Sequence, residues 1–228
     1  MKISVAIPCY EMHGWGAEFL NYSLNILESQ NYKNFEVVVS DHSLDDKIKD
    51  VCLHHKELDL VYIKNENNRG SSSANINNCI ANSSGDLIKV LCQDDYLLDK
   101  DALQKTVCLF DCNKGWLVSS YYHTRNRTEL ISIQLPNPAI TTYTNNLIGT
   151  HSCLTILNKN PLYFDENLLW YMDCEYYYRL RDKFGMPAII TEPTFVQFLW
   201  SGQVTNTMVT REVEEQERNY ILNKYKGA

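Results

Sequence analysis

No pair of cysteines in this 228-residue chain is spaced C-x-x-C, although there are eight cysteines to arrange. That excludes zinc ribbons and dithiol redox motifs, and the six histidines add no metal spacing. His54 and His55 are adjacent and are expected on the solvated face of a helix. Most cysteines fall inside apolar segments and read as small core residues, with Cys108 and Cys112 one turn apart on an expected helix. Basic clusters are lacking as well: 21 Lys and Arg against 28 Asp and Glu leave a net charge of −7, which excludes a nucleic-acid surface. No apolar run approaches the roughly 18 residues that a membrane span needs. The first strand is expected from Ile3, which leaves no room for a leader. A cytoplasmic location with reduced thiols is therefore expected, with any membrane contact peripheral. No Pro- or Ser-rich linker and no charge block divides the chain, so a single domain with a long, irregular C-terminal third is expected.

Several motifs are missing too. Gly14-Trp15-Gly16 follows the first strand, but Phe19 stands where a dinucleotide fingerprint needs its last glycine, and the loop is too long. That excludes a Rossmann oxidoreductase. There is no P-loop lysine and no G-x-S-x-G elbow. A sugar nucleotidyltransferase would need a Gly-rich basic loop after strand one, where this chain has Pro8-Cys9-Tyr10-Glu11-Met12-His13.

What is present is an alternation. Ile3–Ile7, Phe35–Val39, Leu60–Ile63 and Leu87–Leu91 read as strands, and Glu18–Gln30, Asp45–Lys56 and Ser73–Asn82 as helices between them. Strands alternating with helices imply βαβ units and a mostly parallel sheet covered on both faces. Later, Trp116–Tyr122 and Ser152–Leu157 read as strands, residues 123–138 as a loop, and Tyr171–Phe184 as a helix. Ala188–Trp200 reads as extended chain broken at Pro193, and Glu212–Lys224 as a charged amphipathic helix suited to dimerisation, peripheral docking or covering the sheet.

Two carboxylates, Asp94 and Asp95, close the apolar run that begins at Leu87. A buried strand has no structural use for them, because each is costly to desolvate and the two repel. Two readings stay open from the pair alone. One is a turn leading to an Asp N-cap at Asp99 or Asp101. The other is a set of oxygen ligands for Mg²⁺ or Mn²⁺ holding a diphosphate. In parallel sheets the ligand sits beyond the carboxyl ends of the strands. Pro8–Glu11, Ser40–Ser43 and Gln93–Asp95 all fall at that one edge, which favours the site.

The assembled pattern resembles the inverting GT-A glycosyltransferases of family 2. Three ordered blocks carry it across about residues 3–110: Ser4–Tyr10; Phe35–Ser43 with Asp45; and Asn68-Arg69-Gly70, Ala74-Asn75, Gly85-Asp86 and Gln93-Asp94-Asp95. A weaker fourth block is Met172-Asp173-Cys174-Glu175 with Arg179-Leu180. The resemblance implies a Rossmann-like, mostly parallel sheet flanked by helices, with a nucleotide-binding half (1–115) and a less regular acceptor-side half (116–228). It implies a metal-dependent transfer of sugar from a nucleoside-diphosphate donor to a hydroxyl with inversion, in surface polysaccharide or glycoconjugate synthesis. Pro8, Tyr10 and Glu11 would lie along the nucleotide. Asp41 would accept the imide N–H of a uracil or thymine base, Arg69 would reach the diphosphate, and Asn75 would orient the nucleotide. Asp94 would contact the ribose or a metal water, and Asp95 would ligate Mn²⁺ or Mg²⁺. Asp173 would take the acceptor proton, with Glu175 as the fallback, and His151 would touch the donor sugar or acceptor. Cys92 stands where the family often has another Asp, which lowers the count of protein ligands. The aromatic set Trp170, Tyr171, Tyr176, Tyr177 and Trp200 reads either as sugar-stacking or as core. The alternatives to an active transferase are an inactive nucleotide-sugar-binding protein of the same fold, or a sugar nucleotidyltransferase.

Overall fold

The computed structural model describes residues 1–226. Strand β1 (Ile3–Cys9) is apolar on both faces, as a central parallel strand must be. It lies between β2 (Phe35–Asp41) and β4 (Leu87–Val90), with β3 (Leu60–Lys64) outside β2, and all four run parallel. Their connections are α1 (Gly16–Glu28), α2 (Lys47–His54) and α3 (Ser72–Ala81). Beyond β4 the sheet changes direction. β8 (Leu154–Leu157) joins β4 antiparallel, and β6 (Trp116–Thr124), β9 (Ala188–Phe198) and the short β5 (Tyr96–Leu97) complete the order β3-β2-β1-β4-β8-β6-β9-β5. A small strand, β7 (Ser132–Gln134), pairs with β6. The remaining helices are α4 (Ala102–Leu109), α5 (Met172–Phe184), the single turn α6 (Val204–Thr207) and α7 (Arg211–Lys224). One apolar cluster runs under the sheet from Ile3 to Ile221.

The alternating half follows the sequence closely, and the later half departs from it in ways that have causes. Residues 123–138 hold β7, a three-residue pairing too short to leave a periodic signal. β9 is not broken at Pro193. The register jumps from Ser119↔Ile190 to Tyr121↔Phe195, so the proline lies in a bulge where its missing N–H costs no ladder bond. The strand expected from Ser152 starts at Leu154, after a 3₁₀ turn at His151–Cys153. Cys112 lies past the end of α4 rather than on it. His55 is buried, not solvated: its ring bonds Glu28 Oε1 at 2.7 Å and Asn21 Oδ1 at 3.0 Å, fastening the end of α2 to α1.

At the amino edge of the sheet, Glu36 accepts from Ser4 Oγ, the Ser84 amide and hydroxyl, and Lys2 Nζ, each at 2.6 Å. Burial works against this charge, but those donors outweigh it and hold the carboxyl down to about 2. A depressed acid contributes stability that is present above its unfolded value and lost as pH falls toward the folded one. Glu36→Gln is therefore expected to melt several degrees lower than wild type at pH 7. The gap should close as the pH approaches 2 in paired thermal scans.

Candidate active site

The carboxyl ends of β1, β2 and β4 open into a cavity of about 790 Å³, within the size range of ligand sites. Its walls include Pro8, Tyr10 and Glu11 after β1, His42 after β2, Arg69 and Asn75 around the start of α3, and Cys92, Asp94 and Asp95 after β4. The C-terminal half supplies His151, Trp170, Tyr171, Asp173 and the segment around Gln203–Thr205.

The strand ends are tied together by side-chain amides. Gln93 Oε1 accepts the Tyr10 amide at 2.9 Å while its Nε2 donates to the Gly16 carbonyl at 2.7 Å. A Cβ on Gly16 would sit 2.2 Å from the Tyr10 carbonyl, so the Gly14-Trp15-Gly16 run serves this close turn. Asn75 Nδ2 donates to the Cys9 carbonyl at 2.9 Å and its Oδ1 accepts from Ser40 Oγ at 2.5 Å, binding α3 to β1 and β2.

Asp94 lies in a turn before β5, and Asp101 takes the N-cap position of α4, as the turn reading expects, though its side chain makes no bond to the helix. Asp94 Oδ2 accepts from Trp200 Nε1 at 3.0 Å. Asp95 is 2% exposed, and its Oδ1 accepts the Phe198 amide at 3.2 Å. Its Oδ2 is buried without a hydrogen-bond partner among the described residues. Burial first, and the Asp94 charge second, push the Asp95 carboxyl well above the carboxylate range. One ligand atom each from Cys92, Asp94 and Asp95 lie within 4.8 Å of one another. An orphaned, buried carboxylate oxygen in such a group fits a divalent cation, which would remove both the desolvation and the repulsion.

Asp173, the second residue of α5, also lines the cavity. Its Oδ1 lies 3.0 Å from His151 Nδ1, and His151 Nε2 lies 3.0 Å from Cys92 Sγ. A continuous carboxylate–imidazole–thiol chain thus links Asp173 to Cys92, beside Asp94 and Asp95. Burial opposes charge on the imidazole, but Cys92 and Asp173 outweigh it and raise the His151 pKa. Beneath this turn, the buried Lys89 donates to the Ser152 carbonyl. Burial lowers the Lys89 pKa to about 8.

The start of α5 is set by α7. Glu217, 8% exposed, accepts the backbone N–H groups of Leu169, Trp170 and Tyr171 at 2.6, 2.9 and 3.0 Å. Removing it leaves three donors unmet, so Glu217→Ala is expected to cost about 2–4 kcal/mol, read as a lower denaturation midpoint.

Two expected site residues lie off the cavity wall. Asp41 is fully buried, with its oxygens taken by Ser43, Tyr62 and Lys64. Glu175 is fully buried in an ion cluster: Arg179 grips it through two bonds of 2.7 Å, and Lys224 and Tyr225 bond it at 2.7 Å each. The i,i+4 spacing to Arg179 was the available signal for that role. Of the aromatic set, Tyr176 and Tyr177 are core, Tyr171 belongs to the same buried cluster yet lines the cavity with Trp170, and Trp200 is not part of the cavity wall. The sequence reading passed over His42, Lys89 and Glu217, because a partner distant in the chain gives each its setting.

A half-parallel sheet flanked by helices, with paired aspartates at its carboxyl edge, matches the GT-A class of glycosyltransferase folds. The chain belongs to Glycosyl transferase family 2, whose family model matches residues 4–168. TarS of S. aureus, solved in complex with UDP-GlcNAc, superposes with a TM-score of 0.73 at 21% identity, covering 98% of this chain and 67% of that one. Among curated relatives, "Glycosyltransferase GlyA" of Streptococcus pneumoniae is 32% identical over 98 residues, 42% of this chain and 13% of GlyA. The "GalNAc(5)-diNAcBac-PP-undecaprenol beta-1,3-glucosyltransferase" of Campylobacter jejuni is 28% identical over 99 residues, 42% of this chain and 31% of that protein. This chain therefore spans less than a third of the length of either curated relative. No helix among the described residues is long and apolar enough to cross a membrane.

Proposed function

We propose that this chain transfers a sugar from a nucleoside-diphosphate donor, a UDP- or dTDP-sugar, to an acceptor hydroxyl with inversion at the anomeric carbon. Its place is in building a surface polysaccharide or glycoconjugate. The observation that carries this reading is the buried Asp95 Oδ2, unpartnered among the described residues, beside Asp94 in a cavity that Asp173 also lines. Asp95 and Asp94 would hold Mn²⁺ or Mg²⁺, with Cys92 beside them. Such an ion, when bound, neutralises charge on a diphosphate as a Lewis acid. Tyr10 and Pro8 line the path of the nucleoside, and Arg69 suits the diphosphate by its guanidinium geometry. The transition state is oxocarbenium-like, and the acceptor oxygen approaches the face opposite the leaving group. Asp173 takes the acceptor's proton at its carboxylate, oriented by the contact with His151 Nδ1. Trp200 Nε1 donates to Asp94 Oδ2 and would hold that carboxylate in position.

The test is thermal melting with UDP, dTDP, GDP and CDP, each with and without Mn²⁺. A ligand that binds only the folded state raises the midpoint by mass action. A Mn²⁺-dependent rise with UDP or dTDP is expected, and no rise with any nucleotide would sink the reading. In the same assay, Cys92→Asp, which adds a hard oxygen donor, is expected to lower the Mn²⁺ concentration needed for half the shift by several-fold.

A further inference from the structure

We infer that Cys92 ligates the cation through its sulfur, so that this site is thiophilic and takes Zn²⁺ or Co²⁺ in preference to Mg²⁺. This rests on the donor reading above, in which Asp94 and Asp95 hold a divalent ion. At the position where the family often has another Asp, the chain does not lose a ligand but exchanges a hard oxygen for a soft sulfur. Thiolates select zinc-like ions, whereas carboxylate sets suit magnesium.

The sulfur is placed differently from those of the packing cysteines. Cys9, Cys79 and Cys153 are 0% exposed and belong to the apolar cluster. Cys92 is half-buried and lines the cavity, and its Sγ lies within 4.8 Å of one oxygen from each aspartate. One of those aspartates, Asp95, is 2% exposed and keeps an oxygen without a partner among the described residues. A buried carboxylate left unmet beside a sulfur and a second carboxylate marks the place of a cation, and a thiol packed only for its bulk has no use for such neighbours.

Each of the three residues also has a partner standing behind it. Trp200 Nε1 donates to Asp94 Oδ2 at 3.0 Å, and the Phe198 amide donates to Asp95 Oδ1 at 3.2 Å. His151 Nε2 lies 3.0 Å from Cys92 Sγ, and its other ring nitrogen lies 3.0 Å from Asp173 Oδ1. The Cys92 amide donates to Ser152 Oγ at 2.9 Å, which fixes the backbone that carries the sulfur. Metal ligands are oriented by outer partners of this kind. The sulfur is thus held as the two carboxylates are, which sets Cys92 among the ligands. As the bond from sulfur to the cation forms, the S–H bond breaks and its proton leaves to solvent, since a coordinating thiol is deprotonated outright.

The experiment loads the full chain with Co²⁺, with and without UDP, in a Cys108→Ser/Cys112→Ser background that removes the two exposed thiols. This parent is expected to show a sulfur-to-cobalt charge-transfer band in the near ultraviolet. Adding Cys92→Ser should abolish the band while Co²⁺ still binds. In competition titrations Cys92→Ser should lose at least about tenfold in Zn²⁺ affinity and change by less than about twofold for Mg²⁺. Calorimetry in buffers of different ionisation enthalpy should show a proton released on Zn²⁺ binding by the parent and not by Cys92→Ser. Melting checks that each variant is folded. The assignment is overturned if Co²⁺ binds the parent without the band, or if Cys92→Ser keeps the band or the full Zn²⁺ affinity. Those outcomes leave the donor reading standing. Failure of the parent to bind any divalent ion, with UDP or without, would instead overturn the donor reading, and the assignment with it.

Discussion

Asp95→Asn is expected to lower sugar transfer by at least about 10²-fold, the usual scale for removing one preorganised electrostatic group, while making the metal-free protein more stable. The two effects have one cause. Asp95 is buried, lies beside Asp94, and has one oxygen with no partner among the described residues. Burial and the neighbouring charge raise its pKa in the folded state. A raised acid destabilises the fold progressively as pH climbs above its unfolded value of about 4. The amide keeps the shape and removes the charge. In chelator, the gain in melting temperature should therefore be larger at pH 7.5 than at pH 5. A variant less stable than wild type at pH 7.5 would mean that the carboxylate serves the fold and not a cation.

Asp173→Asn is expected to lower kcat by roughly 10²–10⁴-fold, the range for a general base, with the Kd for UDP unchanged within about twofold. The amide oxygen can still meet His151, so the α5 start and the cavity wall survive the change. Loss confined to kcat would mark a proton acceptor. Full activity with a lowered melting point would reduce Asp173 to a favourable acidic residue in the first turn of α5.

The parallel half of the fold was readable because β1, β2 and β4 are buried on both faces and write continuous apolar runs separated by helix-period segments. The antiparallel half was harder. β7 pairs over three residues, β5 over two, and β9 carries a bulge around Pro193, so none writes a clean alternation. The cavity edge was legible for a similar reason: chemistry-bearing residues follow strand ends, where topology collects them. Burial and partnering were not legible. Asp41 and His42 are adjacent in the chain, yet one is enclosed by Tyr62 and Lys64 from β3 and the other is left with an unmet nitrogen. Glu175 and Glu217 both meet partners more than forty residues away that only packing brings close. Cys92, read as a missing Asp, proved to be one end of a chain through His151 to Asp173.

The most direct test of the central claim uses water as the acceptor. The protein is incubated with α-linked UDP-sugars and Mn²⁺, and the released sugar is followed by proton NMR from the first minutes, before mutarotation. The account predicts Mn²⁺-dependent release of UDP from one donor, with the β-anomer appearing first. First appearance of the α-anomer, or no release from any nucleotide-sugar, would contradict it.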